Sequence, residues 1–126
     1  MTGRLIQAAS SAYQFPLLLK HIWNTPLLQA KEQEVVCHAK RFTYAQVWER
    51  IHRFASALDK IGVRPGDTVG VLDWDTNRFL EAFFAIPMMG AVLQTVNVRL
   101  SPEQIAYTID HSGATTLLVN DEFAGL

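Results

Sequence analysis

Helical and strand patterns alternate along most of this sequence, and that alternation restricts the fold more than any other feature. Between residues 43 and 119, three helix patterns are each followed by a short apolar run of the kind found in buried strands. Consecutive strands joined through a helix usually lie parallel, with a right-handed crossover. The order therefore predicts an α/β fold, with a mostly parallel sheet and helices on both faces.

Capping residues mark the ends of two helices. Thr43 with Gln46, and Ser101 with Gln104, have the three-residue spacing of a capping box. Gly62 is expected to end the first helix, because glycine adopts the left-handed C-cap conformation without strain. One helix is therefore predicted to begin just after Thr43, and another just after Ser101.

The middle helix and the three strands are predicted to be buried. Asp75 is expected to cap the middle helix, whose side chains are apolar nearly all round, so it should lie between layers. Each apolar run is expected to form a buried strand, and a short hairpin is expected ahead of them. The three runs are 68–72, 91–96 and 115–119, and the hairpin strands are 35–38 and 40–43.

The sequence divides into two parts. Residues 34–126 carry the alternating pattern and are predicted to form an incomplete α/β subdomain. Residues 1–33 are predicted to be an amino-terminal arm, in which residues 15–23 favour a short apolar helix that Asn24-Thr25-Pro26 would interrupt. The arm is rich in apolar side chains, which predicts docking onto the body or onto another subunit.

Composition and charge argue against several classes of partner. The net charge is -1, from 11 basic and 12 acidic side chains scattered along the chain, so no nucleic-acid binding is expected. The longest apolar stretch, residues 82–93, contains Pro87 and Gly90 and is too short for a transmembrane segment. Cys37 is the single cysteine and is expected to be a small core residue, which favours a reducing, cytoplasmic location.

Candidate binding residues follow the predicted strands, because ligands of open parallel sheets gather beyond the carboxyl ends of the strands. Asn97 and Arg99 are the candidate cofactor-binding residues. The alternative is a structural role, in which Arg99 pairs with an acid and Asn97 holds the loop. The other residues at strand ends are expected to act mainly as caps and turn residues; they are Asp73, Trp74, Asp75, Asn120 and Asp121.

No catalytic set and no metal site are predicted. The sequence lacks glycine-rich phosphate loops, a G-x-S-x-G elbow and an acid pair spaced for acid–base chemistry. The four histidines show neither i,i+4 spacing nor a neighbouring cysteine cluster. Phe79, Phe83 and Phe84 have the character of a lipid pocket, but core packing is the expected role.

Four blocks of residues stand in a characteristic order between residues 41 and 120. They are Phe42-Thr43-Tyr44; Leu58 through Gly62-Val63 to Pro65-Gly66-Asp67-Thr68-Val69; Asn77 with Phe79, Phe83-Phe84-Ala85 and Gly90-Ala91-Val92; and Asn97-Val98-Arg99-Leu100-Ser101-Pro102-Glu103-Gln104-Ile105 with Ile109 and His111. In order and spacing these blocks resemble the amino-terminal part of the AMP-forming acyl-CoA synthetases, in the adenylate-forming superfamily. The resemblance implies that residues 34–126 belong to the large amino-terminal domain of such an enzyme.

Enzymes of this family join a carboxylate to ATP, release pyrophosphate, and pass the acyl group to coenzyme A. The resemblance thus implies ATP, magnesium and coenzyme A for a complete enzyme. The family's phosphate loop, its metal-binding acid and its carboxyl-terminal lysine have no counterpart in residues 1–126. The segment by itself is therefore expected to be neither catalytic nor cofactor-binding.

The resemblance also suggests a substrate and an assembly. Thr95 stands where much of the family has proline, and this form looks more like the fatty-acid-activating branch, so a medium- or long-chain fatty acid is expected. In some members an amino-terminal arm contributes to a homodimer contact, which implies a homo-oligomer here. The alternative is a stand-alone, non-catalytic α/β module for binding or assembly.

Overall fold

The computed structural model describes residues 9–13 and 15–125. Its elements follow the predicted alternation of helix and strand. In chain order they are a 3-10 helix (Leu19–Trp23), α1 (Asn24–Gln29), β1 (Glu34–Cys37), β2 (Lys40–Thr43), α2 (Tyr44–Lys60), β3 (Thr68–Leu72), α3 (Asn77–Met88), β4 (Val92–Thr95), α4 (Pro102–Ser112), β5 (Thr116–Val119) and a second 3-10 helix (Asp121–Phe123).

The main sheet has three parallel strands in the order β4-β3-β5. Val69 and Val71 of the central strand β3 pack in one core cluster with residues of α2 and α3. Leu72, which points to the opposite face, packs with Ile105 of α4. The predicted fold class, a parallel α/β sheet with helices on both faces, is confirmed.

The chain leaves β3 and β4 toward opposite faces of the sheet. β3 leads into α3 on one face, and β4, its direct neighbour, leads into α4 on the other. Where adjacent strands diverge in this way, a crevice opens at their carboxyl ends, and open α/β sheets bind ligands at such positions. The topology therefore places a crevice between the ends of β3 and β4.

The predicted helix boundaries are confirmed at both capping boxes. Thr43 and Ser101 each accept a hydrogen bond from the backbone N–H three residues on, and the Gln at that position reaches back to the cap. Gly62 follows the C-cap residue Ile61 of α2 and has a φ of 103°, as a left-handed helix end requires. At the start of α4, the Ser101 hydroxyl, followed by the Glu103 backbone N–H, lowers the pKa of the Glu103 carboxyl.

Only one of the three main strands is buried as predicted. β3 is buried from Val69 to Leu72, whereas β4 and β5 lie at the two edges of the described sheet. Leu117 and Val119 of β5 are 41% and 40% exposed, and Val92 of β4 is 52% exposed. The prediction of burial is wrong for these two strands because no further strand of the described residues covers their outer edges.

The second half of the amino-terminal arm packs against α2 and α3. Trp23 is buried, and its ring centroid lies 6.2 Å from that of Tyr44, 5.5 Å from Trp48 and 5.2 Å from Phe84. The predicted interruption at residues 24–26 is wrong, because Pro26 lies in the first turn of α1, where a backbone N–H has no helical partner. Several apolar side chains of the arm stay exposed: Tyr13, Phe15, Leu17, Leu18, Leu19, Ile22 and Leu28.

The hairpin forms at its predicted place. β1 and β2 pair antiparallel from Glu34 with Thr43 to Cys37 with Lys40, and His38 in the turn has a φ of 52°. Cys37 is half-buried in this two-stranded ribbon. The expectation that it belongs to the core is therefore wrong.

Candidate functional site

The crevice between β3 and β4 contains the candidate residues. It encloses about 240 Å³ at the carboxyl ends of the two strands. Asn97 and Arg99 both line it, so the fold brings them beside residues that follow β3. Its lining comprises Asp73, Trp74, Asp75, Phe79, Thr95, Val96, Asn97, Val98 and Arg99.

Asp73 links the loop after β3 to the loop after β5. One carboxylate oxygen accepts hydrogen bonds from the Trp74 backbone N–H, at 2.9 Å, and from the Asn120 side chain. The other accepts from the Thr76 hydroxyl at 2.7 Å and lies 4.0 Å from Nε of Arg78. Only 9% of the Asp73 side chain is exposed. The carboxylate therefore serves as a structural acceptor rather than as a free acid.

A second link joins the same two loops. Nε1 of Trp74 donates to Oε2 of Glu122 at 2.8 Å, and the Trp74 ring lies 5.0 Å from the ring of Phe123. These contacts connect the loops that follow β3 and β5, and Asp73 also lines the crevice beside β4. Asn120 therefore supports the site through Asp73 and does not line the crevice.

Asn97 and Arg99 have different roles in the loop after β4. Oδ1 of Asn97 accepts the backbone N–H of Arg99 at 2.9 Å, so Asn97 holds the loop, as its structural alternative predicted. The Arg99 side chain is exposed and forms no ion pair within residues 9–13 and 15–125. The described residues thus give no support to the alternative in which Arg99 pairs with an acid.

The helix cap next to the crevice is Thr76. Its hydroxyl accepts the backbone N–H of Phe79 at 3.3 Å, and its backbone is extended, with φ -95° and ψ 170°. The prediction that Asp75 caps α3 is therefore wrong by one residue. The Thr76 hydroxyl donates to Asp73 and accepts from the Phe79 backbone N–H. It therefore caps α3 and also helps to fix Asp73, which lines the crevice.

Replacing Thr76 should weaken the start of α3. We expect Thr76→Ala to lower the free energy of unfolding by about 1 kcal/mol, because the cap acceptor is lost. Asp75→Ala, the matched control, should change it by less than about 0.5 kcal/mol, since the side chain is exposed. Urea unfolding followed by circular dichroism measures both, and equal losses would contradict the assignment of Thr76 as the cap.

A charge pair that joins α2 to α3 was missed by the sequence patterns. Glu81 of α3 is 4% exposed and accepts two hydrogen bonds from Arg50 of α2, at 2.6 and 3.1 Å. Asn77 donates a third at 2.9 Å, and the Arg50 guanidinium lies 4.6 Å from the centre of the Phe42 ring. The available signal was the only acid in a largely apolar helix, four residues after an Asn.

Two further classes of site are not found in the described part of the chain. No group of three or more potential ligands among His, Cys, Asp and Glu side chains could hold a metal ion there. None of its helices is both long enough and apolar enough to cross a membrane.

The family match agrees with this geometry. The family model described as AMP-binding enzyme matches residues 27–125. The chain therefore belongs to the AMP-binding enzyme family, and the resemblance to adenylate-forming acyl-CoA synthetases is confirmed.

Individual relatives are acyl-CoA ligases with different acids. The chain is 49% identical over 78 residues to the long-chain-fatty-acid–CoA ligase of Thermus thermophilus, which is 62% of this chain and 14% of the relative. It is 37% identical over 83 residues to the medium-chain-fatty-acid–CoA ligase of Ectopseudomonas oleovorans, and the match covers 66% of this chain and 15% of that relative. It is 38% identical over 94 residues to the trans-cinnamate:CoA ligase of Petunia hybrida, covering 75% and 16%.

Solved structures show the same fold in the matched part. An anthranilate CoA ligase in complex with anthranoyl-AMP superposes with a TM-score of 0.67 at 31% identity, covering 70% of this chain and 17% of that one. A fatty acyl CoA synthetase of Mycobacterium tuberculosis superposes with a TM-score of 0.65 at 28% identity, and the match covers 68% of this chain and 17% of that one. The chain spans between 14% and 17% of the length of the curated relatives it matches.

Proposed function

We propose that this chain is the amino-terminal part of a medium- or long-chain fatty acid–CoA ligase. The observation that carries the proposal is the 49% identity to a long-chain-fatty-acid–CoA ligase, within a family match that extends over residues 27–125. In the complete enzyme a fatty acid would react with ATP, in the presence of magnesium, and the acyl group would pass to coenzyme A. This segment supplies scaffold for that reaction.

The fatty-acid assignment is tested by pyrophosphate exchange. In the polypeptide that carries this segment, we expect ATP–pyrophosphate exchange that depends on decanoate or palmitate and is slower with cinnamate or acetate. An intact mass several times 14.2 kDa should accompany the exchange. Exchange with aryl acids alone would contradict the fatty-acid assignment. A mass near 14.2 kDa without exchange would favour the non-catalytic module.

Arg99 is the residue of this segment that we assign to a bound cofactor. Arg99 is exposed and lines the crevice, it has no acidic partner among the described residues, and Asn97 fixes the loop that carries it. A guanidinium in that setting is suited to a phosphate group, which both ATP and coenzyme A carry. Arg99 would therefore contact a phosphate of one of them.

Kinetic measurements can show whether Arg99 contacts a phosphate of ATP or one of coenzyme A. We expect Arg99→Gln in the complete enzyme to raise KM for either ATP or coenzyme A by about tenfold, with a small change in the other, because one charge-assisted contact is lost. Arg41→Gln is the matched control, since Arg41 is exposed and pairs with Glu34 on the hairpin. Unchanged values of both constants would exclude a phosphate contact.

The exposed part of the arm is proposed as a contact between two copies of the protein. Tyr13, Leu17 and Leu28 are 99%, 94% and 83% exposed, which is unfavourable for apolar side chains in a monomer. Removal of residues 1–18 spares Trp23 and should halve the molar mass of the complete enzyme in light scattering. An unchanged molar mass would contradict a dimer contact through residues 1–18.

The composition fits a reducing, cytoplasmic compartment, as proposed from the single cysteine.

A further inference from the structure

A cavity of about 280 Å³ lies between the hairpin strand β1 and the first two turns of α3. We call it the hairpin–α3 cavity. Its wall on the α3 side is largely apolar and includes Phe79, Leu80 and Phe83. The volume is close to the lower limit of small-molecule pockets, roughly 300 Å³. The cavity is therefore suited to a short apolar group such as part of an acyl chain.

The hairpin side of this cavity carries the single thiol of the chain. Cys37 is a free, half-buried cysteine that lines the cavity. Along β1 it alternates with the exposed Val36 and shares the less exposed face with Val35, which packs against the core. The thiol consequently lies opposite the apolar wall of α3.

A buried amide oxygen also opens into the cavity. Asn77 lines the cavity and is only 5% exposed. Its Nδ2 donates to Glu81 at 2.9 Å, whereas no described residue donates to its Oδ1. Among the described residues, Trp23 Nε1 is the only buried side-chain N or O atom that is both sealed from solvent and unpaired, so Oδ1 of Asn77 is not sealed. This oxygen is therefore available to an N–H group of a ligand in the cavity.

The hairpin–α3 cavity adjoins the crevice between β3 and β4, because Asp75 and Phe79 line both. Arg99, which we assign to a phosphate of ATP or coenzyme A, lines that crevice. A fatty acyl-CoA has a counterpart for each group: phosphates for Arg99, pantetheine amide N–H groups for Asn77, a thioester for the thiol and an acyl chain for the apolar wall. The two adjoining spaces thus match one extended ligand.

We propose that Cys37 accepts a fatty acyl group from an acyl-CoA bound in the hairpin–α3 cavity. Sγ of Cys37 attacks the thioester carbonyl carbon, a new carbon–sulfur bond forms, and the bond from that carbon to the coenzyme A sulfur breaks. The proton of the Cys37 thiol passes to the departing thiolate, so free coenzyme A is released and no oxidant or reductant is required. The inference rests on the proposed function, because fatty acyl-CoA is the product of that reaction.

Mass spectrometry of the Cys37 peptide tests this transfer. The complete polypeptide that carries this segment is incubated with decanoyl-CoA, without ATP or free fatty acid. We expect a decanoyl group on Cys37 that neutral hydroxylamine removes, and no such group in Cys37→Ser. The matched control is Lys60→Cys in the Cys37→Ser background, since position 60 is exposed on α2. It should be acylated about tenfold more slowly or less, because no cavity holds the donor beside it. Equal rates at positions 37 and 60, or no acylation at position 37, would overturn the proposal.

A variant of the cavity wall tests whether the acyl chain is bound there. Phe83 is 44% exposed, so Phe83→Gln should fold while removing part of the apolar wall. It should slow decanoyl transfer to Cys37 by about tenfold and leave acetyl transfer from acetyl-CoA unchanged, since only the longer chain reaches the wall. Tyr107→Gln, which removes an exposed aromatic ring on α4, should change neither rate. Equal slowing of decanoyl and acetyl transfer in Phe83→Gln would contradict binding of the chain in this cavity.

The transfer and the proposed function can fail separately, because acyl-CoA is supplied directly. Acylation of Cys37 in a polypeptide that shows no fatty-acid-dependent pyrophosphate exchange would leave the acylation site standing and overturn the proposed function. Exchange without acylation of Cys37 would leave the proposed function standing and overturn the acylation site.

Discussion

Replacement of Glu81 by alanine is expected to lower the free energy of unfolding by about 3 kcal/mol. The Glu81 carboxylate is buried, and it accepts two hydrogen bonds from Arg50 and one from Asn77. Without it, the half-buried guanidinium and the buried amide of Asn77 lose their acceptor. Urea unfolding followed by circular dichroism measures the loss.

Two comparison variants make the Glu81 prediction specific. Glu49→Ala removes the acid of an exposed pair on α2 and should cost about 0.5 kcal/mol or less. The double variant Arg50→Met/Glu81→Leu should recover part of the lost stability, because it removes both charges and keeps apolar volume, although the Asn77 amide still lacks its acceptor. If Glu81→Ala were no more destabilising than Glu49→Ala, the buried pair would not hold α2 to α3.

Replacement of Asp73 by alanine should lower the free energy of unfolding by about 2 kcal/mol. The side chain is nearly buried, and three donors would lose their acceptor, namely the Trp74 backbone, the Thr76 hydroxyl and the Asn120 amide. The backbone pairing of β3 with β5 would remain, but the only side-chain link described above between their following loops would be the one from Trp74 to Glu122 and Phe123. Denaturant unfolding gives the loss, and a change in Trp74 fluorescence should report the altered loop.

Asp75→Ala is the matched control for Asp73→Ala. The two acids are two residues apart at the same end of β3, but Asp75 is exposed and is not the helix cap. A loss similar to that of Asp75→Ala would mean that the Asp73 network contributes little. In the complete enzyme, Asp73→Ala should also raise KM for the cofactor that Arg99 is proposed to contact, since it alters another wall of the crevice.

Local signals were sufficient to predict the order of the elements and their class. The capping boxes at Thr43 and Ser101 and the glycine after α2 depend on neighbours within a few residues, so the sequence displays them directly. The cap of α3 was misplaced because Asp75 and Thr76 are both favourable cap residues, and only the backbone conformation decides between them.

Contacts between distant residues could not be predicted in the same way. The Arg50–Glu81 pair joins two helices, and the contact between Asn120 and Asp73 joins the ends of two strands. The edge positions of β4 and β5 depend on strand order, since an apolar run has the same appearance in the centre of a sheet and at its edge. The crevice was predictable because strand ends of a parallel sheet meet on one side.

The central position of β3 has a consequence for how the protein folds. Its two neighbours, β4 and β5, both come later in the chain, each after a further helix. During synthesis, β3 therefore leaves the ribosome before either of the strands that pair with it. Its apolar residues stay without a complete set of strand partners until both crossovers, through α3 and through α4, have been synthesised. Such non-local parallel pairing is slow to form. The nascent chain should consequently depend on chaperones most strongly between the appearance of β3 and that of β5.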